Sequence, residues 1–252
     1  MDKGDLIKET AKVISVLKSR KAVIDRILSP LDNVFQELDD SEKEKFIGLL
    51  DETEEKVKKM KNKNQDWLLS EIYFRKGRCA KGIFEKKKEY HYWKQAYDCA
   101  LKGKNDEVVV QSGISLGFDF YEFTTSIREI SEIHMNCIRA ICGLDTAIFT
   151  RLRIMGINLF NFWSQIEFRR LSEHDLKVKQ LVIDGAKDLQ KAGFDEDRAA
   201  PVMILLISKA FEFEDPCLEW AQHESAVLDI PIPESIKRKT GSIMLDRGDN
   251  HD

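Results

Sequence analysis

His134, Cys137 and Cys142 form an H-x-x-C-x-x-x-x-C cluster of metal-binding side chains. A tetrahedral metal site asks for four such ligands. On one helix Cys142, five positions beyond Cys137, falls off the face that Cys137 occupies. The spacing therefore predicts thiols that pack in the core and no bound metal. Di-iron helical proteins use Glu-x-x-His on facing helices. No histidine here has Glu three positions before it, and Glu219-x-x-x-His223 reads as a surface pair. Phosphate loops, nucleotide fingerprints, zinc-protease motifs and serine elbows do not occur, so the expectation is a protein without cofactor or intrinsic chemistry.

Cations and aromatic rings make up the other reactive population. Residues 56–104 hold fifteen Lys or Arg against five acids, a local balance of +10. Residues 105–150 hold two against seven (−5), and residues 180–235 four against twelve (−8). Such polarity can steer a charged partner or the opposite end of a second copy, so a homo-oligomer is one expectation. Trp67, Tyr73, Phe74, Phe84, Tyr90, His91, Tyr92, Trp93 and Tyr97 interleave with the basic run. Aromatics among cations can stack on unpaired bases while lysines hold phosphates, which makes single-stranded nucleic-acid binding the first alternative function. Against it, Tyr90, Trp93, Tyr97 and Leu101 follow helical core spacing and are expected to face inward.

The 252 residues are 42% hydrophobic and 33% charged with a net charge of −4, which describes a globular chain and excludes a general polyanion coat. No apolar run approaches the ~18 residues of a membrane span, and Val202–Ile207 is the longest core-like stretch. An odd count of five cysteines and a start without an apolar leader predict reduced thiols and a cytoplasmic setting.

The elements that must carry these residues read as helices. No proline lies between Pro30 and Pro201, and strict alternation is absent apart from short runs such as Ile230–Pro233. Residues 5–28 form an amphipathic helix, and Ser41 with Glu44 reads as a capping box opening a second one. Asp215 before Pro216 opens a last helix. The expected organisation is a helical cap over 1–64, helical repeats over 65–230 and a flexible tail over 231–252.

A period near forty residues underlies the middle of the chain. Gly77, Gly117 and Gly156 stand 40 and 39 positions apart in FRKGRCA, SLGFDF and IMGINLF. A mid-helix glycine costs ~1 kcal/mol against alanine, so three in register predict close approach of a neighbouring helix. Ala100 and Ala140 each follow their glycine by 23 positions, Ala186 follows Gly156 by 30, and Trp93, Tyr97 and Leu101 correspond to Ile133, Cys137 and Ile141. The competing reading is an ordinary bundle with unrelated glycines.

Leu116-Gly117-x-x-Phe120 and Met155-Gly156-x-x-Leu159 resemble the L-G-x-x-Y core of tetratricopeptide repeats, and the alanines resemble that family's small crossing residue. The resemblance covers roughly residues 65–228. It departs from the family in its longer period, in the missing helix-ending proline, and in Lys76 where leucine is expected. It implies an all-α fold, a right-handed superhelix of antiparallel helical hairpins with an N-terminal helical cap. By that resemblance the concave groove is lined by Glu71, Phe74, Arg78 and Lys81 in the first unit. The second contributes Gln111, Ile114, Phe118 and Tyr121, and the third Thr150, Arg153, Ile157 and Phe160. Cations beside apolar anchors suit a protein or peptide partner of acidic-hydrophobic character, so the expected function is a non-catalytic scaffold. The alternative for Ile114, Phe118, Ile157 and Phe160 is packing between helices.

Arg169-x-x-x-x-His174 and Arg128-x-x-x-x-x-His134 resemble the R-x(4–6)-H element of HEPN ribonucleases. That resemblance implies a second alternative, a helical ribonuclease in which arginine stabilises phosphate and histidine moves a proton.

Overall fold

The computed structural model describes residues 38–59, 63–123, 126–145, 147–166, 176–211 and 216–227. All regular structure among them is helical, with no strand, in agreement with the all-α expectation. The helices are α1 (Asp40–Lys58), α2 (Gln65–Ala80), α3 (Lys86–Gly103), α4 (Asp106–Ile114), α5 (Ile127–Cys142), α6 (Ile148–Gln165), α7 (Leu176–Lys191), α8 (Glu196–Ala210) and α9 (Pro216–Val227). A π turn, Ser115–Asp119, continues α4, and a second one, Lys179–Ile183, interrupts α7. The helix expected over 5–28, the tail over 231–252 and the Ile230–Pro233 run lie outside the described residues.

The chain divides into two compact units, 1–112 and 113–252. In the first, α2 packs against both α1 and α3. This grouping puts the last part of the expected cap with the start of the expected repeats. The capping box of α1 uses Asp39 and Glu42, two residues before the expected Ser41 and Glu44. The Asp39 carboxylate accepts from the Glu42 amide at 2.8 Å, and the Glu42 side chain accepts from the Asp39 amide at 3.1 Å. Aspartate is as good an N-cap as serine, and here it lies two positions earlier relative to buried Phe46 and Ile47.

Close backbone approach joins α2 and α3. A Cβ on Gly77 would lie 2.9 Å from the Trp93 ring, and one on Gly103 would lie 2.5 Å from the Trp67 backbone. The contacts run in opposite order along the two helices, as an antiparallel hairpin requires. Trp67, Tyr73, Trp93, Tyr97 and Ala100 are buried in this unit. Leu101 is exposed, contrary to the inward face expected of it, because the helix turns that position away from α2.

In the second unit α8 is the central element. Its residues Ala199 to Ser208 are all buried, and α5, α6, α7 and α9 pack around it. A helix apolar on every side has to be enclosed in this way. Asp195 caps it, accepting from the Arg198 amide at 2.8 Å. Gly156 of α6 meets α8, since a Cβ there would lie 2.4 Å from the Ala200 carbonyl oxygen. Helix α9 begins at Pro216 as its sequence predicts. Cys79, Cys99 and Cys137 are free thiols, whereas Cys142 is disulfide-bonded, which the expectation of five reduced thiols does not anticipate. No helix among the described residues is long and apolar enough to cross a membrane.

Candidate functional site

The second unit carries an open groove of about 310 Å³ between the end of α4, the π turn and α6. Ile114 and the π-turn residues Phe118 and Asp119 form one wall; Asn158, Asn161 and Phe162 of α6 form the other. The α6 residues are three and four positions apart, so one helical face presents them together. Asn161 Nδ2 donates to Glu196 at 3.0 Å, which holds the amide in place. The π turn inserts an extra residue into the helical path, with the Phe120 amide bonding back to the Ser115 carbonyl at 3.0 Å. Such turns recur at functional sites.

Behind the groove, its lining residues Phe118 and Phe162 pack on a buried aromatic cluster around His134. Phe118 stacks on the imidazole at 4.4 Å and 20°, while Phe162 and Trp163 meet it edge-on at 5.4 and 5.5 Å. Tyr121 sets its edge against Phe162 at 5.2 Å. The His134 ring donates from Nε2 to the Gly117 carbonyl at 3.2 Å, and its Nδ1 is buried without a partner. Burial pushes its pKa down to about 3, with the Gly117 bond acting the other way. His134 is therefore neutral near pH 7, and its ring backs Phe118 and Phe162.

The first unit holds a charged cluster instead. Lys76, 1% exposed, binds Glu54 and also Asp51 at 2.6 Å, between the rings of Tyr73 and Tyr92. Tyr73 donates to Glu54 at 2.6 Å and Lys58 pairs with it at 2.5 Å. Burial alone would raise the Glu54 pKa, but bonds from Lys58, Lys76 and Tyr73 prevail and lower it to about 2. Beside it, buried Arg75 pairs with Glu71 at 2.6 Å, and Asn105 donates to Ser70 and Glu71 at 3.0 and 2.8 Å. Lysine stands where the repeat pattern asks for leucine because α1 supplies its counter-charges.

Of the residues expected to line the concave face of a repeat superhelix, Ile114 and Phe118 stand at this local groove, and Tyr121 flanks it through Phe162. Phe160 is a correction: it is 6% exposed, in the packed interior of the second unit, because it lies on the opposite side of α6 from Asn158 and Asn161. Arg153 is exposed but paired to Asp197 at 2.9 Å, which ties α6 to α8. Ile157 is half-buried and lines no part of the groove, while Thr150 is exposed. In the first unit Phe74 is half-buried edge-on to Trp93 at 5.7 Å, with Arg78 5.8 Å from its ring. Lys81 is exposed, and Gln111, also exposed, bonds Glu107 at 3.2 Å.

Sequence reasoning missed Asp119, Asn158, Asn161 and Phe162. The two asparagines, three positions apart in the otherwise apolar run Ile154–Trp163, were the available signal. Among the described residues no three His, Cys, Asp or Glu side chains gather as metal ligands. Arg128 is exposed and paired with Glu132 at 2.7 Å, whereas His134 is buried, so this Arg–His pair does not converge on one surface. The Arg169–His174 pair lies outside the described residues, as do the side chains of Cys217 and Glu219.

The class defined by these observations is an all-helical protein with a part-apolar, amide-bearing surface groove. Comparison with protein-family models, with curated proteins and with solved structures finds no match.

Proposed function

We propose that this protein is a non-catalytic interaction module that binds a peptide segment of a partner protein in the groove of its second unit. One juxtaposition carries the reading: Asn158 and Asn161 stand beside Phe118 and Phe162 around a single open groove. A carboxamide offers both a donor and an acceptor, the complement of a peptide bond. Apolar walls with a few placed polar groups are the usual composition of a binding cleft. Asp119 is the sole charged group among the lining residues, and in sequence the segments 105–150 and 180–235 carry an excess of acids. Charge complementarity therefore favours a basic-hydrophobic peptide over the acidic-hydrophobic one suggested by Arg78, Lys81 and Arg153, since Arg153 is engaged by Asp197.

The tetratricopeptide-like superhelix belongs to the same proposal. Gly77 faces a ring 16 positions on, Trp93; Gly117 faces one 17 positions on, His134, and also touches Ile133, the counterpart of Trp93. These two matched settings favour a repeated unit. Gly156 meets Ala200 instead, so the repeat reading is restricted to the first two glycines.

Selection of peptides from a random library on the immobilised full chain tests the function. The expected ligands carry an apolar or aromatic residue next to Lys or Arg, and lose at least ten-fold in affinity for an N158A/N161A double variant that melts normally. Selected peptides that bind the double variant undiminished would overturn the assignment.

A further inference from the structure

The connection between α2 and α3 concentrates positive charge. Between residues 78 and 88 stand Arg78, Lys81, Lys86, Lys87 and Lys88, against Glu85 as the one acid. Lys81, Lys86, Lys87 and Lys88 are exposed. The turn holding them is ordered by backbone bonds from the Ile83 and Phe84 amides to the Ala80 carbonyl, at 3.1 and 3.2 Å. Inside the same unit, Arg75 and Lys76 are each matched to a carboxylate. At the tip, Lys81, Lys87 and Lys88 have no carboxylate partner among the described residues.

Helix stability does not account for this composition. Cations in a first turn oppose the helix dipole, which favours anions there by typically ~0.3–1 kcal/mol per charge. Lysines at three successive positions also repel one another. Lys88 Nζ lies 3.5 Å from the centre of the Phe84 ring, so a cation and an aromatic surface are held together at the tip. His91, exposed, follows Lys87 and Lys88 on the same face of α3.

We propose that this tip is a binding surface for the phosphodiester backbone of nucleic acid. Several exposed cations on a short ordered turn match closely spaced phosphates, and most of the affinity of such a surface is electrostatic. The aromatic side chains of the basic segment contribute little base recognition, because Trp67, Tyr73, Trp93 and Tyr97 are buried. An acidic membrane suits the tip less well: its apolar residues, Ile83 and Phe84, are half-buried, and Lys88 covers the Phe84 ring.

Fluorescence anisotropy of the full chain with labelled single-stranded RNA, single-stranded DNA and duplex DNA, over a salt series, tests this. The expected result is salt-sensitive binding to at least one of the three. In K81Q/K86Q/K87Q/K88Q, affinity should fall at least ten-fold at low salt, and the slope of log K against log[salt] should be shallower by about 3. A control, K56Q/K102Q/K177Q/K191Q, removes the same charge from other exposed lysines and should bind nearly as the parent does. Equal losses in both variants, an unchanged slope in the tip variant, or no salt-sensitive binding by the parent would each overturn the proposal. So would binding to phosphatidylserine vesicles with none to nucleic acid.

Discussion

The Gly117 carbonyl accepts the Nε2–H of His134 at 3.2 Å, and a Cβ on that glycine would lie 2.6 Å from the same nitrogen. The missing side chain admits the ring, and the ring in turn satisfies the carbonyl and backs Phe118 at the edge of the groove. Gly77 makes room for Trp93 in the first unit by the same device.

Filling these two sites should be costly. Gly117→Ala is expected to destabilise the protein by about 1–3 kcal/mol, the usual range for overpacking. Gly77→Ala should cost less, because alanine's better helix propensity returns ~1 kcal/mol. Urea unfolding followed by circular dichroism measures both. A Gly117→Ala midpoint equal to that of the parent would show that the His134 ring does not occupy this space.

His134 makes stability depend on pH. Its folded pKa of about 3 lies below the ordinary 6.5, so between these values the unfolded state binds the extra proton. Its stabilising contribution is complete above about pH 6.5 and is lost as pH falls toward 3. A His134→Phe variant should have a flatter dependence of stability on pH over that window. Histidine 15N shifts should also keep His134 in the neutral Nε2–H form at pH 5, and a charged imidazole at that pH would contradict the burial.

Glu54 and Lys76 separate a paired charge from an abandoned one. Glu54→Gln leaves buried Lys76 with Asp51 alone and is expected to cost about 3 kcal/mol, the scale for breaking a buried pair. Lys76→Leu, which introduces the leucine that the sequence resemblance asks for, should cost less, because Lys58 and Tyr73 still hold Glu54. Glu54, lowered to about 2, contributes stability above its ordinary 4.5 that is lost as pH falls toward 2. Thermal melts of both variants at pH 7 and pH 4 test the order, and a Lys76→Leu loss larger than that of Glu54→Gln would reverse the account.

Thiol chemistry reports the packing. Burial raises Cys79 and Cys137 to about 12 and Cys99 to about 11. Of these three, Cys99, half-buried, should react first with a disulfide reagent at pH 8, while Cys79 and Cys137 wait for unfolding. Peptide mapping of the labelled protein gives the sequence of events, and early modification of Cys137 would show that its helix opens locally.

Helical structure was legible in the chain itself, because apolar spacing and the scarcity of proline are local properties. So was the closeness demanded at Gly77, Gly117 and Gly156, since a glycine inside a helix is unfavourable unless something presses against it. What presses was not legible. Trp93, His134 and the Ala200 backbone arrive from other helices, and Ala200 comes from 44 positions away. Tertiary packing also decided which side of α6 faces outward, placing Asn158 and Asn161 at the groove and Phe160 in the interior. It decided too that Lys76 could stand where leucine was expected, through carboxylates carried on α1. Spacing along a chain tells which residues share a face, but the partner of that face depends on how the helices cross, and many distant side chains set that together.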